Sequence, residues 1–145
     1  MLLKNRKSTL ISTLIAILLL SFMLASCSSQ PAEAPIVDKE WQWVSLKETL
    51  PASQSVVPQP ENYTLYLGSD GELSIKADCN MVGGSYEMAD SSLQIILGPS
   101  TMAFCGEDSL DTQYLELLGR VTSYAVEEDH LILKLADDAG EMTFR

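Results

Sequence analysis

Between Trp41 and Arg145 apolar residues recur at every second position in short runs, a period that restricts the chain to half-buried strands. Trp41 and Trp43 alternate with Gln42 and Val44, and Tyr63, Leu65 and Leu67 alternate with Thr64 and Tyr66. Ser69-Asp70-Gly71 is a turn signal, and Leu73, Ile75 and Ala77 follow at the same spacing, so this pair reads as a hairpin. Gly83-Gly84 leads into a run over 85–88, and Leu93, Ile95 and Leu97 alternate after a short polar turn. Runs at 122–126, 131–135 and 141–145 are separated by Glu127-Glu128-Asp129 and by Asp137-Asp138-Ala139-Gly140. About eight short strands are therefore expected, joined mainly by tight turns.

One segment has a different period. Leu110, Tyr114, Leu117, Leu118 and Val121 fall at helical spacing, which predicts a helix near Ser109–Leu118. Asp108 or Ser109 is placed to cap its start, and Gly119 to end it in a left-handed conformation. A mainly β domain follows, a small antiparallel incomplete barrel whose strands pack on a single helix. Residues 48–61 hold Pro51, Pro58 and Pro60 and do not read as a tight hairpin. The segment is expected to be a surface insertion or a binding loop.

Residues 1–26 read as an export signal. Lys4, Arg6 and Lys7 are followed by an apolar run over 10–25, short for a membrane-spanning helix of roughly 20 residues, and an uncleaved N-terminal anchor is the alternative reading. The run ends in Leu24-Ala25-Ser26-Cys27, which looks like a bacterial lipobox and makes Cys27 the expected lipidation site and first residue of the mature chain. Acyl chains there would hold the protein on the extracytoplasmic side of the cell envelope. Ser28 next to it points to the outer membrane if the source has one. Residues 27–39 are rich in Ser, Pro, Ala and Glu and read as a flexible tether, with the folded domain spanning 40–145.

Charge narrows the partners. Beyond residue 26 the chain has 6 basic and 20 acidic side chains, a formal net charge of −14, which argues against nucleic acid. With His130 as the lone histidine and no fitting ligand set, no metal and no cofactor are expected. The acidic turns read as solvated, because the spaced calcium-loop pattern is missing. Once Cys27 is assigned to lipid, Cys79 and Cys105 form an even pair 26 positions apart, which favours a structural disulfide in an oxidising compartment. A reduced buried pair and a redox-active pair are the alternatives, and no Cys-x-x-Cys motif supports the latter. A Cys–His nucleophile would need His130 beside a thiol, and Ser100 lacks a nucleophile elbow, so no catalytic residue is assigned. Asn80 and Thr101 are expected to satisfy backbone groups where strands end.

Three clusters carry a resemblance. Trp41-Gln42-Trp43 opens the domain; Cys79-Asn80 is followed by Gly83, Gly84 and Tyr86; Thr101-Met102-Ala103-Phe104-Cys105 precedes the helix. A closing Leu-x-Leu run lies at 131–135. In this order they resemble the META domain family of HslJ-like proteins, over about residues 41–145. The resemblance implies a small antiparallel barrel packed on a helix, and proteins that are exported or lipid-anchored and linked to stress or antibiotic tolerance. The 48–61 connection departs from a compact version of this pattern.

The expected function is that of a non-enzymatic, lipid-anchored envelope protein. It would bind or protect another envelope component, with the stress role implied by the resemblance alone. The alternative is a lipocalin-like binder of a small apolar ligand or antibiotic, with Trp41, Trp43, Tyr63 and Tyr66 lining its cavity. A filled interior with an exposed apolar patch separates the first from the second.

Overall fold

The computed structural model describes residues 36–145; the export signal, Cys27 and most of the tether lie outside the described residues. Nine strands follow one another as β1 (Glu40–Thr49), β2 (Ala52–Val56), β3 (Tyr63–Leu67), β4 (Glu72–Ala77), β5 (Asn80–Ala89), β6 (Ser92–Ser100), β7 (Val121–Glu127), β8 (His130–Leu135) and β9 (Gly140–Phe144). One α-helix, α1 (Asp111–Leu118), is inserted between β6 and β7. The sheet runs β2-β1-β3-β4-β5-β6-β7-β8-β9, and an antiparallel β1–β9 pairing turns it into a ring. Its thinnest junction is β6–β7, where the ladder holds the single pair Ser92↔Ser123. The ring is thus not a continuously hydrogen-bonded barrel.

The helix fills the interior. Tyr114, Leu117 and Leu118 are buried, and the Tyr114 ring stacks on Trp43 at 5.1 Å between centroids. Tyr63 meets both rings edge-on at 5.9 and 5.6 Å, and Phe144 of β9 lies 6.3 Å from Tyr114. Four aromatic rings from β1, β3, α1 and β9 therefore occupy the middle of the ring of strands. Each brings a large apolar area, and edge-on and offset contacts match the quadrupoles of the rings.

Three details differ from the sequence expectation. The first is β2, inside the 48–61 segment that reads as a loop. A turn at Leu50-Pro51, whose peptide bond is cis, folds Ala52–Val56 back on β1 with Thr49↔Ala52 and Ser45↔Val56 in register. All five β2 residues are exposed, so neither face is buried and no period-two signal is written into them. The second is α1, which begins at Asp111. Leu110 takes the cap position with no side-chain cap, and the Ser109 hydroxyl accepts the Asp111 N–H at 3.2 Å instead. Gly119 is right-handed (φ −66°), with its N–H donated to the Leu115 carbonyl, so the helix does not end in a left-handed residue.

The third concerns residues 36–39, which read as the end of the tether. Ile36 is only 3% exposed, and its carbonyl accepts the Trp41 indole N–H at 2.9 Å. Lys39 lies over the Trp41 ring at 3.8 Å. Asp38, at φ 57°, accepts hydrogen bonds from the Ser69 N–H at 3.0 Å and the Tyr66 hydroxyl at 3.2 Å. The Ile36-Val37 pair supplies apolar surface that the polar composition of 28–39 masks when averaged.

Candidate functional site

The β4–β5 turn and the segment joining β6 to α1 are held together by one covalent bond and one side chain. Asp78 and Cys79 form the turn between Ala77 and Asn80, with Asp78 at φ 56°. Cys79 is joined to Cys105 by a disulfide of 2.00 Å, with the two Cα atoms 5.5 Å apart. Both sulfurs are used in that bond, so in this state neither is a free thiol. The Cys79 N–H also points at the Cys105 Sγ, at 3.3 Å.

Asn80, buried at the first position of β5, does the rest. Its Oδ1 accepts the Ala103 N–H at 2.8 Å and the Thr101 hydroxyl at 3.0 Å. Its Nδ2 donates to the Ala103 carbonyl at 3.0 Å, with Cys105 Sγ and Asp111 Oδ2 each at 3.3 Å. The amide thus treats Ala103 as a neighbouring strand would, satisfying its donor and its acceptor together. Thr101 completes the seam: its hydroxyl accepts the Met81 N–H at 2.9 Å, and its own N–H donates to the Met81 carbonyl at 3.1 Å.

This bracing has a consequence for the residues on either side of Ala103. Met102 is 95% exposed and Phe104 is 85% exposed, although the segment carrying them is pinned at Thr101, Ala103 and Cys105. Met81 on β5 is exposed as well. A cleft of about 430 Å³ lies between this segment and the start of α1, walled by Met102, Phe104 and Leu115 and floored by Asn80 and Asp111. On the other side of Cys105 a second cleft of about 350 Å³ is lined by Asp78, Glu107 and Asp108 together with the Tyr63 edge. The Tyr63 hydroxyl accepts the Leu110 N–H at 2.9 Å, which fixes the approach to α1.

The other motif residues have structural places. Trp41 and Trp43 are buried in the core, and the Trp43 indole donates to the Ser45 carbonyl at 2.9 Å. Trp41 and Trp43 pack in the interior, Tyr63 is buried in the core with one edge reaching the second cleft, and Tyr66 faces outward toward Asp38. Gly84 sits where β5 passes over β6 at a register shift; a Cβ there would run into the Ile96 carbonyl oxygen, so only glycine permits the crossing. Tyr86 donates its hydroxyl to the Gly68 carbonyl at 2.6 Å, and partial burial together with the Asp38 and Asp70 carboxylates raises its pKa. Among the described residues no group of three or more His, Cys, Asp and Glu side chains is placed to hold a metal ion.

Sequence reasoning assigns no role to Met102 or Phe104, and it misses the part of Asp111 in holding Asn80. No sequence signal marks them: Met102, Ala103 and Phe104 are all apolar, so the run carries no period.

Comparison with known families and folds agrees with this architecture. A family model described as the META domain matches residues 34–145. Among solved structures, a protein from Burkholderia xenovorans determined by NMR is 23% identical with a TM-score of 0.59, over 83% of this chain and 97% of that one. A crystal structure of a DUF4847 family protein from Bacteroides vulgatus is 10% identical with a TM-score of 0.58, over 75% of this chain and 92% of that one. At these identities the likeness is one of fold. No curated protein matches the chain.

Proposed function

Because the chain belongs to the META domain family, we propose that it is a non-enzymatic binding protein of the bacterial cell envelope. It is held on the extracytoplasmic side by a lipid on Cys27 and docks another envelope protein through the braced 101–105 segment. The observation that carries this reading is the near-complete exposure of Met102 and Phe104 on backbone fixed by Asn80 and the disulfide. Exposing two large apolar side chains costs solvation free energy, and apolar surface held outward on fixed backbone is a mark of interaction sites. The filled interior favours this over a ligand held inside the ring of strands, since Trp43, Tyr63, Tyr114 and Phe144 occupy that space. The stress role enters through the family resemblance and accompanies the reading as its expected physiological setting.

Two measurements test it. A palmitate analogue supplied to cells should label the wild type and not Cys27→Ser; equal labelling ends the lipoprotein reading. A photo-crosslinking amino acid at position 102 should give discrete adducts in intact cells, whereas the same group at Glu128, on the β7–β8 turn, should not. Identical adduct patterns from the two positions would remove the docking reading.

A further inference from the structure

The exposed pair sits among carboxylates. The cleft beside Phe104 holds Asp111, the cleft lined by Cys105 holds Asp78, Glu107 and Asp108, and no Lys, Arg or His side chain lines either of them. The apolar walls, Met102, Phe104 and Leu115, belong to the cleft that also holds Asp111. An acidic protein thus presents an apolar knob between carboxylates, on a chain with a formal net charge of −14 beyond residue 26. Such a surface repels acidic partners and anionic lipid headgroups, and its Met and Phe side chains adapt to apolar surfaces of varied shape. Resting on the docking reading above, we infer that the 101–105 segment takes a cationic amphipathic peptide segment of a partner protein. The partner's apolar face covers Met102 and Phe104 and enters the cleft against Leu115. Its Lys or Arg side chains meet Asp111 on one side and Glu107 and Asp108 on the other. Pairing the apolar face of an amphipathic helix with exposed apolar side chains, and its cations with carboxylates around them, is a recurrent mode of peptide recognition.

The test uses the full-length acylated protein in phosphatidylcholine nanodiscs, with empty nanodiscs as the blank. The probe is a labelled synthetic peptide of about five helical turns with Lys on one face and Leu on the other, read by fluorescence anisotropy. It should bind saturably and more weakly as ionic strength rises, because exposed charge pairs are screened. Two control peptides, one with Glu in place of Lys and one with Ser in place of Leu, should not bind. Phe104→Ser and Met102→Ser should each weaken binding by about tenfold, as expected for a large apolar side chain lost from an interface. Both residues are exposed, so thermal unfolding of these variants should match the wild type. Glu107→Gln combined with Asp108→Asn should weaken binding and flatten its salt dependence. Equal binding of the Glu peptide, or indifference to Phe104→Ser, overturns the inference. Absent binding of the Lys peptide, with cross-links from position 102 retained in cells, overturns the cationic partner and leaves the docking reading standing. Loss of those cross-links overturns the docking reading itself.

Discussion

The side-chain amide of Asn80 grips the backbone of Ala103 from both sides, accepting its N–H at 2.8 Å and donating to its carbonyl at 3.0 Å. One buried residue thereby replaces a missing strand for a segment that must stay outside the sheet. Asn80→Ala leaves these two backbone groups and the Thr101 hydroxyl without their partner, while the 101–105 backbone remains tied by Cys105. A destabilisation of about 2 kcal/mol is expected, since losing one side of a buried hydrogen-bond network costs more than the bonds themselves return. Urea unfolding measures it, and hydrogen exchange at the Ala103 amide should accelerate far more than at amides in the β8 ladder.

The disulfide constrains the same segment by a different route. Cys79 and Cys105 are separated by 26 residues, and closing a loop of that size removes denatured-state entropy worth about 3.5 kcal/mol in the chain-entropy model. Replacing both with Ala should therefore lower the unfolding free energy by up to about that amount, with fold retained by circular dichroism because Asn80 still holds Ala103. The comparison of this variant with Asn80→Ala, and with the two combined, reports their coupling. A combined loss greater than the sum of the separate losses is expected, as both act on one short segment.

How far the sequence discloses this arrangement depends on which residues are half-buried. β4 turns one face to the core, so Leu73, Ile75 and Ala77 advertise their strand by period alone, whereas β3 and β8 also bury Thr64 and Ile132 on the opposite face and show the period less cleanly. β2 has two solvated faces and leaves no such mark; its existence depends on pairing with β1, a tertiary fact. The helix is legible from Tyr114, Leu117 and Leu118, but its first turn is not, because Ser109 serves the Asp111 amide from outside the cap position. The site shows the same division. Cys79, Asn80, Thr101 and Cys105 stand out as residue types suited to bracing, whereas the exposure of Met102 and Phe104 is invisible in one dimension. An apolar residue in sequence is expected to be inside, and only the fold shows that no element covers these two.

Asp38 supplies a pH-dependent clasp between the start of the domain and the β3–β4 turn. The Ser69 N–H and side chain, with the Tyr66 hydroxyl, hold its carboxyl below the usual carboxylate range. A depressed folded-state pKa means the contribution is present above the unfolded value of about 3.9 and is lost as pH falls through the folded value. Carboxyl-detected NMR titration should place the Asp38 midpoint below that reference. Asp38→Asn keeps the shape and removes the charge, so the stability gap between wild type and variant should close as acid protonates the wild-type carboxyl. A gap that stays constant across the acidic range would show that Asp38 acts by packing alone.

At the centre of the domain the Tyr114 hydroxyl is fully buried and has no hydrogen-bond partner among the described residues. Its ring is well placed, stacked on Trp43 and flanked by Tyr63 and Phe144, so the stabilising part of this side chain is the part phenylalanine shares. Burying a hydroxyl without a partner costs on the order of 1–3 kcal/mol. Tyr114→Phe should accordingly leave the fold intact and raise the unfolding free energy by about 1 kcal/mol at neutral pH, a few degrees in Tm for a domain of this size. The alkaline limb gives a second, independent reading. Burial pushes the Tyr114 phenol well above its ordinary value, so the folded state keeps a proton that the unfolded chain releases above about pH 10. Stability must therefore fall as pH rises through the unfolded value, and Tyr114→Phe removes that dependence. Tyr66 and Tyr86 also have raised values but are present in both proteins, so the difference between wild type and variant isolates Tyr114. Urea midpoints measured from neutral pH to about pH 11 should diverge, with the variant declining less. Parallel curves, or a variant less stable at neutral pH, would mean that the hydroxyl is satisfied in solution and that Tyr114 is there for its oxygen as well as its ring.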